Sequence, residues 1–193
     1  MDFGKILPRS FYARSTVEVA RGLLGKVLVH GATAGIIVET EAYLGGEDLA
    51  AHSARGLTGR TRVIFGPPGH AYVYLIYGMY ECLNLVAEPA GRPGCVLIRA
   101  LEPVAGVELM RARRGAVRKV AQLANGPGKL TVALGITRAH NGADVTRGAL
   151  VVREAAGAGE VEIEVTPRIG ITRSAELPLR FVMVGRMPPR MGA

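Results

Sequence analysis

The chain has 193 residues, 49% hydrophobic and 21% charged. That balance is too apolar for a wholly disordered chain, and no run approaches about 18 consecutive apolar residues, which excludes a helical membrane span. Twenty-four basic against 16 acidic side chains give a formal charge of +8, which suits a polyanion partner but equally suits plain solubility charge.

Met1–Ser10 has no apolar core and no cleavage site, so it is not read as a signal peptide. Ser15-Thr-Val-Glu18 reads as a capping box that opens a short helix ending near Gly22 and Gly25. Lys26–His30 and Gly35–Tyr43 read as strands. Leu44–Pro68 is rich in Gly, Arg and small residues and reads as a long loop, a class that is often functional. Ala71–Ile76 and Tyr80–Ala87 read as a hairpin turning at Tyr77-Gly78-Met79, and Gly94–Leu101 as a further strand. Pro103–Val120 carries a basic amphipathic helix, and Gly128–Leu134 a short one. Short strands at Ala149–Glu154, Val161–Val165 and Leu179–Val184 complete the set. With no repeat, no βαβ alternation and no Pro/Ser-rich linker, residues 1–193 read as a single α+β domain. Its sheet is expected to be curved, mostly antiparallel, barrel-like and flanked by short helices, with the hairpin protruding.

Charge is distributed unevenly. Val27–Ala54 contains Glu39, Glu41, Glu47 and Asp48 and no Lys or Arg, whereas Leu49–Tyr80 and Leu109–Ala143 contain bases and no acid. Basic segments suit phosphates; an acidic island suits chemistry. In Ile36–Tyr43, strand alternation puts Ile37, Glu39, Glu41 and Tyr43 on one face. Two such carboxylates suit water activation by a general base, or Mg²⁺ binding in a nuclease, or simply a solvated strand face. Four of the six tyrosines, Tyr72, Tyr74, Tyr77 and Tyr80, lie within nine residues. Tyr77 at a hairpin tip is poorly placed for a core and well placed as a wedge between bases; Tyr74 suits a stacking platform. Asn84 and Arg99 interrupt apolar strands, which indicates either a surface-facing alternation or a polar pocket. Asn125–Thr131 superficially resembles a phosphate-binding loop but lacks its spacing and its Ser/Thr after Lys129, so a nucleotide site is rejected. Cys82 and Cys95 lie in apolar stretches and read as buried inert thiols. The four histidines show no metal-ligand spacing; no structural zinc and a cytoplasmic address are expected.

Several motifs occur in an order that resembles a known family: Leu24–Val29, Val38–Gly45, Ala50–Ser53, Gly69–Tyr80, Cys82–Asn84, Val96–Pro103 and Gly126–Leu130. Together they are similar to the mammalian-type alkyladenine (3-methyladenine) DNA glycosylases, at bacterial length, over about Leu7–Val184. The resemblance implies a monofunctional enzyme without metal or other cofactor. It would flip alkylated or deaminated purines (3-methyladenine, ethenoadenine, hypoxanthine) out of double-stranded DNA and hydrolyse the N-glycosidic bond, leaving an abasic site. It implies Glu41 as the base for the attacking water and Arg99 as its holder. Tyr43 and His52 would stack on one side of the base and Tyr74 on the other. Ala50 and His52 would lie on the loop that reads its edge, and Asn84 would exclude guanine. Tyr77 would fill the gap in the duplex, with Met79 and Tyr80 beside it in the minor groove. Arg60 and Lys129 are candidate phosphate contacts. A monomer, nucleoid-associated in a bacterium, is expected. The competing readings are a non-catalytic basic RNA- or DNA-binding module, for which Glu41 is dispensable, and the Mg²⁺ nuclease.

Overall fold

The computed structural model describes residues 3–155 and 161–186. Helix α1 is a single turn at Arg9–Tyr12, followed by α2 at Thr16–Leu23. The capping box forms as read: Ser15 Oγ accepts from the Glu18 N–H while the Ser15 N–H donates to Glu18. Strands β1 (Val27–His30), β2 (Thr33–Tyr43), β3 (Ala71–Ile76), β4 (Tyr80–Val86), β5 (Cys95–Ala105), β6 (Leu150–Arg153), β7 (Ile163–Thr166) and β8 (Arg180–Met183) pair antiparallel throughout. The path runs β3-β4-β5-β2-β1-β6, and β8, joined to β7, adds to the far half of β2. The sheet curls into a half-barrel. Residues 44–70 carry no strand, only turns and one turn of 3-10 helix at His52–Arg55.

Two readings shift. Strand β5 continues through Pro103 to Ala105, so helix α3 occupies only Val107–Arg114 of the 103–120 stretch. Pro103 lies opposite Gly35, next to a register shift where the ladder is already irregular, and such a position tolerates the missing N–H. Helix α4 covers Pro127–Leu134, with proline at its first turn, where no N–H is needed.

Alternation assigns the two faces of the sheet. Ala71 and Val73, Leu83 and Leu85, Val96 and Ile98, and Ala42 join the main core. That core is filled from α2 by Val19, Ala20 and Leu23 and from α4 by Leu130, Ala133 and Leu134. Their neighbours Tyr72 and Tyr74, Cys82 and Asn84, and Leu97 and Arg99 line a cavity on the opposite face. Among the described residues, no helix is long and apolar enough to cross a membrane.

Candidate active site

The acidic strand is irregular where its chemistry lies. Register shifts interrupt the β2–β5 ladder between Ile37 and Glu39 and again between Glu39 and Thr40, leaving Val38 and Arg99 as extra residues. Bulges of this kind re-aim side chains beside functional sites. Here they reverse the phase of both strands. Ile37, expected beside the glutamates, joins the main core, while Glu39, Glu41 and Arg99 come together on the other face.

Glu41 has no exposed surface. Its Oε1 accepts the Ile169 N–H at 2.9 Å and lies 3.3 Å from Arg99 Nη1, and its Oε2 accepts the Tyr43 hydroxyl at 2.9 Å. Arg99 Nε donates to Glu39 at 3.1 Å, and Arg180 Nε donates to the same Glu39 oxygen at 2.6 Å. Burial works against the charge of Arg99, but the two glutamates outweigh it and hold the guanidinium more firmly protonated than usual. Thus both carboxylates of the acidic strand are buried and engaged by arginines. Neither belongs to a solvated strand face.

Above them lies a cavity of about 240 Å³, whose lining includes Tyr43, Ala50, His52, Tyr72, Tyr74, Asn84, Arg99, Ile169 and Ile171. Burial, helped by the neighbouring Glu41, pushes the Tyr43 hydroxyl well above the ordinary tyrosine range, so it donates to Glu41 as a neutral phenol. Tyr74 is likewise raised, by burial first. His52 Nδ1 lies 3.0 Å from the Tyr72 hydroxyl, and Arg60 sits 3.4 Å from His52 Nε2. Burial, then the Arg60 charge, lowers the His52 imidazole to about 4, leaving it neutral at pH 7. The His52 ring stands edge-on to Tyr74 at 4.6 Å. Asn84 Nδ2 donates to the Tyr72 carbonyl at 3.2 Å, which fixes the amide at the cavity wall.

The hairpin projects beside this cavity. Tyr77 and Gly78 take φ of +53° and +68°. Glycine does so without cost; a tyrosine in the left-handed region is strained by about 1–2 kcal/mol. Yet Tyr77 is 78% exposed and Met79 68%, so no burial offsets that strain within the chain. Tyr80 backs onto α4: a Cβ on Gly128 would lie 2.8 Å from Tyr80 Cβ. The glycine in Gly126-Pro-Gly-Lys therefore serves close packing of the hairpin base. A second cavity of about 490 Å³ shares Arg99, Pro127 and Ile169 with the first and is also lined by Tyr77, Tyr80, Arg114 and Lys129. Lys129 Nζ is held there by Asn125 Oδ1 at 2.9 Å. Arg60, by contrast, lies against the base cavity, with its guanidinium 5.3 Å over the Tyr74 ring. Both cysteines are buried and line the first cavity. Among the described residues, no three His, Cys, Asp or Glu side chains gather around one point where an ion would fit.

The family model described as methylpurine-DNA glycosylase matches residues 10–187. The chain belongs to the methylpurine-DNA glycosylase family. Curated relatives agree along nearly their whole length. A protein of Methanocella arvoryzae is 55% identical over 180 residues, 91% of this chain and 89% of the relative. One of Methanoculleus marisnigri is 55% identical over 185 residues, 93% and 95% respectively. One of Koribacter versatilis is 52% identical over 186 residues, 93% and 90%. All three carry the provisional name 3-methyladenine DNA glycosylase.

In this DNA glycosylase, three contributors to the site were not singled out from sequence. Arg180 sits between Leu179 and Phe181, and the criterion that picked Asn84 and Arg99, a polar residue inside an apolar strand, applies to it equally. Ile169 acts through its backbone, which sequence does not mark; the available signal was an apolar Ile-Gly-Ile within a polar connection. Arg168 pairs with Asp48 across 120 residues of chain. Such a partnership has no local trace.

Proposed function

We propose that this glycosylase removes 3-methyladenine, ethenoadenine and hypoxanthine-type purines from duplex DNA through a water activated by Glu41, leaving an abasic site. The observation that carries this reading is the buried Glu41 carboxylate, gripped by Tyr43, Ile169 and Arg99 beneath a cavity walled by aromatic rings. A base stacked in a duplex is out of reach of such a carboxylate, and turning it out costs a few kcal/mol. Tyr77 offsets part of that cost by filling the vacated stack, with Met79 and Tyr80 along the minor groove. Lys129 and Arg114, on the second cavity, meet phosphates without regard to sequence. The flipped purine lies against Tyr43 and Tyr74, and a cationic alkylated ring gains further from their faces.

The water is held on the cavity side by Arg99, which lines it, with Glu41 directly behind at 3.3 Å from Arg99 Nη1. Glu41 takes the water's proton as the C–N bond breaks, and its charge also favours the oxocarbenium character of the sugar. A cationic 3-methyladenine leaves as a neutral base; ethenoadenine and hypoxanthine, uncharged in the duplex, first take a proton from solvent. Asn84, its Nδ2 anchored on the Tyr72 carbonyl, stands in the cavity wall where it clashes with the 2-amino group of guanine.

The test is base release from a panel of lesion duplexes with EDTA present. Free purine and an alkali-labile abasic site are expected. Strand cleavage that EDTA abolishes would overturn the reading in favour of a metal nuclease, and lesion binding without base release would favour a binding module.

A further inference from the structure

The segment after β7 runs along the cavity as a strap, Pro167-Arg168-Ile169-Gly170-Ile171, of which the last three residues line it. Proline at 167 keeps the preceding residue extended, and Gly170 takes a φ of +75°. Between them, Arg168 points into the protein with its side chain fully buried. It grips Asp48 with both ends of its fork, at 2.6 and 2.7 Å, and that carboxylate is itself only 1% exposed. The remaining Nη hydrogens go to the carbonyls of Ala42 (2.9 Å) and Ser174 (3.2 Å), and the guanidinium lies 4.6 Å over the Tyr43 ring.

A buried ion pair is poor evidence for a stability role, because apolar side chains of similar volume often stabilise as well or better. Here the pair is also imperfect: Arg168 Nε is buried with no hydrogen-bond partner. What the pair does uniquely is join parts of the site. Ile169, the next residue, holds Glu41 through its N–H. Asp48 accepts the Ala50 N–H at 3.2 Å and the Leu44 N–H at 3.1 Å, and so shapes the loop that carries Ala50 and His52 to the cavity. Tyr43, beneath the guanidinium, donates to Glu41.

We propose that Arg168 is a positioning residue: its fork on Asp48 locks the strap, the base-reading loop and the Tyr43 ring into the single arrangement in which the Ile169 amide and the Tyr43 hydroxyl hold Glu41. The inference rests on Glu41 as the water-activating group. A planar, bidentate guanidinium does this; a lysine ammonium supplies charge without the fork.

The deciding variant is D48N/R168M. It removes both charges together, so that no buried ion is stranded, and asparagine keeps an oxygen for one of the Leu44 and Ala50 amides, which bond different oxygens of Asp48. Single-turnover release from an ethenoadenine duplex, affinity for that duplex, the melting temperature and hydrogen exchange at the Ile169 amide are measured alongside R168K. The expected result is a melting temperature and affinity close to wild type, excision at least tenfold slower, and loss of protection at Ile169, with R168K intermediate. Excision within threefold of wild type would overturn the inference. So would losses of excision and affinity in step with the melting temperature while Ile169 stays protected, which is the mark of a merely structural pair. A wild-type protein that releases no base refutes the function proposed above, whereas Ile169 exchange in the double variant still decides whether Arg168 holds the strap.

Discussion

Replacing Glu41 with glutamine isolates the chemistry from the architecture. The side chain keeps its shape, and one amide orientation preserves two of its three interactions: the oxygen accepts from the Ile169 N–H, and the new NH₂ donates to the Tyr43 hydroxyl, which reverses its role. Only the ion pair with Arg99, 3.3 Å away, disappears, and Arg99 keeps Glu39 as a partner. Removing one charge-assisted interaction of this kind costs about 1.5–3 kcal/mol. At about 2–4 °C per kcal/mol for a protein of this size, melting falls by about 3–12 °C. The folded protein still binds a lesion duplex, because the wedge and the basic surface are untouched. Excision loses general-base assistance, about 10²–10⁴-fold, together with the negative charge beside the developing oxocarbenium. Single-turnover release of ethenoadenine in EDTA, with a parallel melt and binding titration, measures all three. Excision by Glu41→Gln within tenfold of wild type would refute the assignment, since the neighbouring carboxylate, Glu39, is held by Arg99 and Arg180.

Tyr77→Gly relieves a left-handed tyrosine, so stability changes by no more than about 1 kcal/mol and rises if anything, while single-turnover excision drops at least tenfold; unchanged excision would remove the wedge. Asn84→Ser withdraws the amide from the cavity wall, and undamaged guanine is expected among the released bases; continued absence of guanine release would reassign the discrimination. His52 titrates at about 4 in the folded protein against about 6.5 unfolded. The unfolded chain therefore binds the extra proton in that window, and stability falls as pH drops from about 6.5 to about 4. His52→Gln is expected to flatten the pH dependence of denaturant unfolding across that interval; an unaltered slope would show that the imidazole titrates alike in both states.

Much of the site was legible because it lies on regular strands. Tyr72 and Tyr74, Cys82 and Asn84, and Leu97 and Arg99 reach the cavity by simple alternation, the same rule that sends their neighbours to the core. The rule failed at Ile37, where paired bulges insert Val38 and Arg99 and reverse the phase. A bulge changes no composition and leaves the hydrophobic run intact, so it is invisible until the two strands are paired. The strand through Pro103 was cut short for a related reason: proline argues against a ladder position, and only the irregular pairing with Gly35 shows how it is accommodated.

By itself the sequence determined the hairpin, the antiparallel strand set, the acidic island flanked by basic segments, and the family. These are properties of local pattern, residue type and motif order, and they survive without coordinates. Only the tertiary structure decided what each charge does. Glu39 and Glu41 lose their solvent and gain partners from three distant segments, because β2 is the strand on which β5, β8 and the strap converge. Arg60 faces the tyrosines, and Arg168 reaches back across the chain to Asp48. Pairings of that kind follow from which elements are neighbours in space, and no spacing along the chain encodes them.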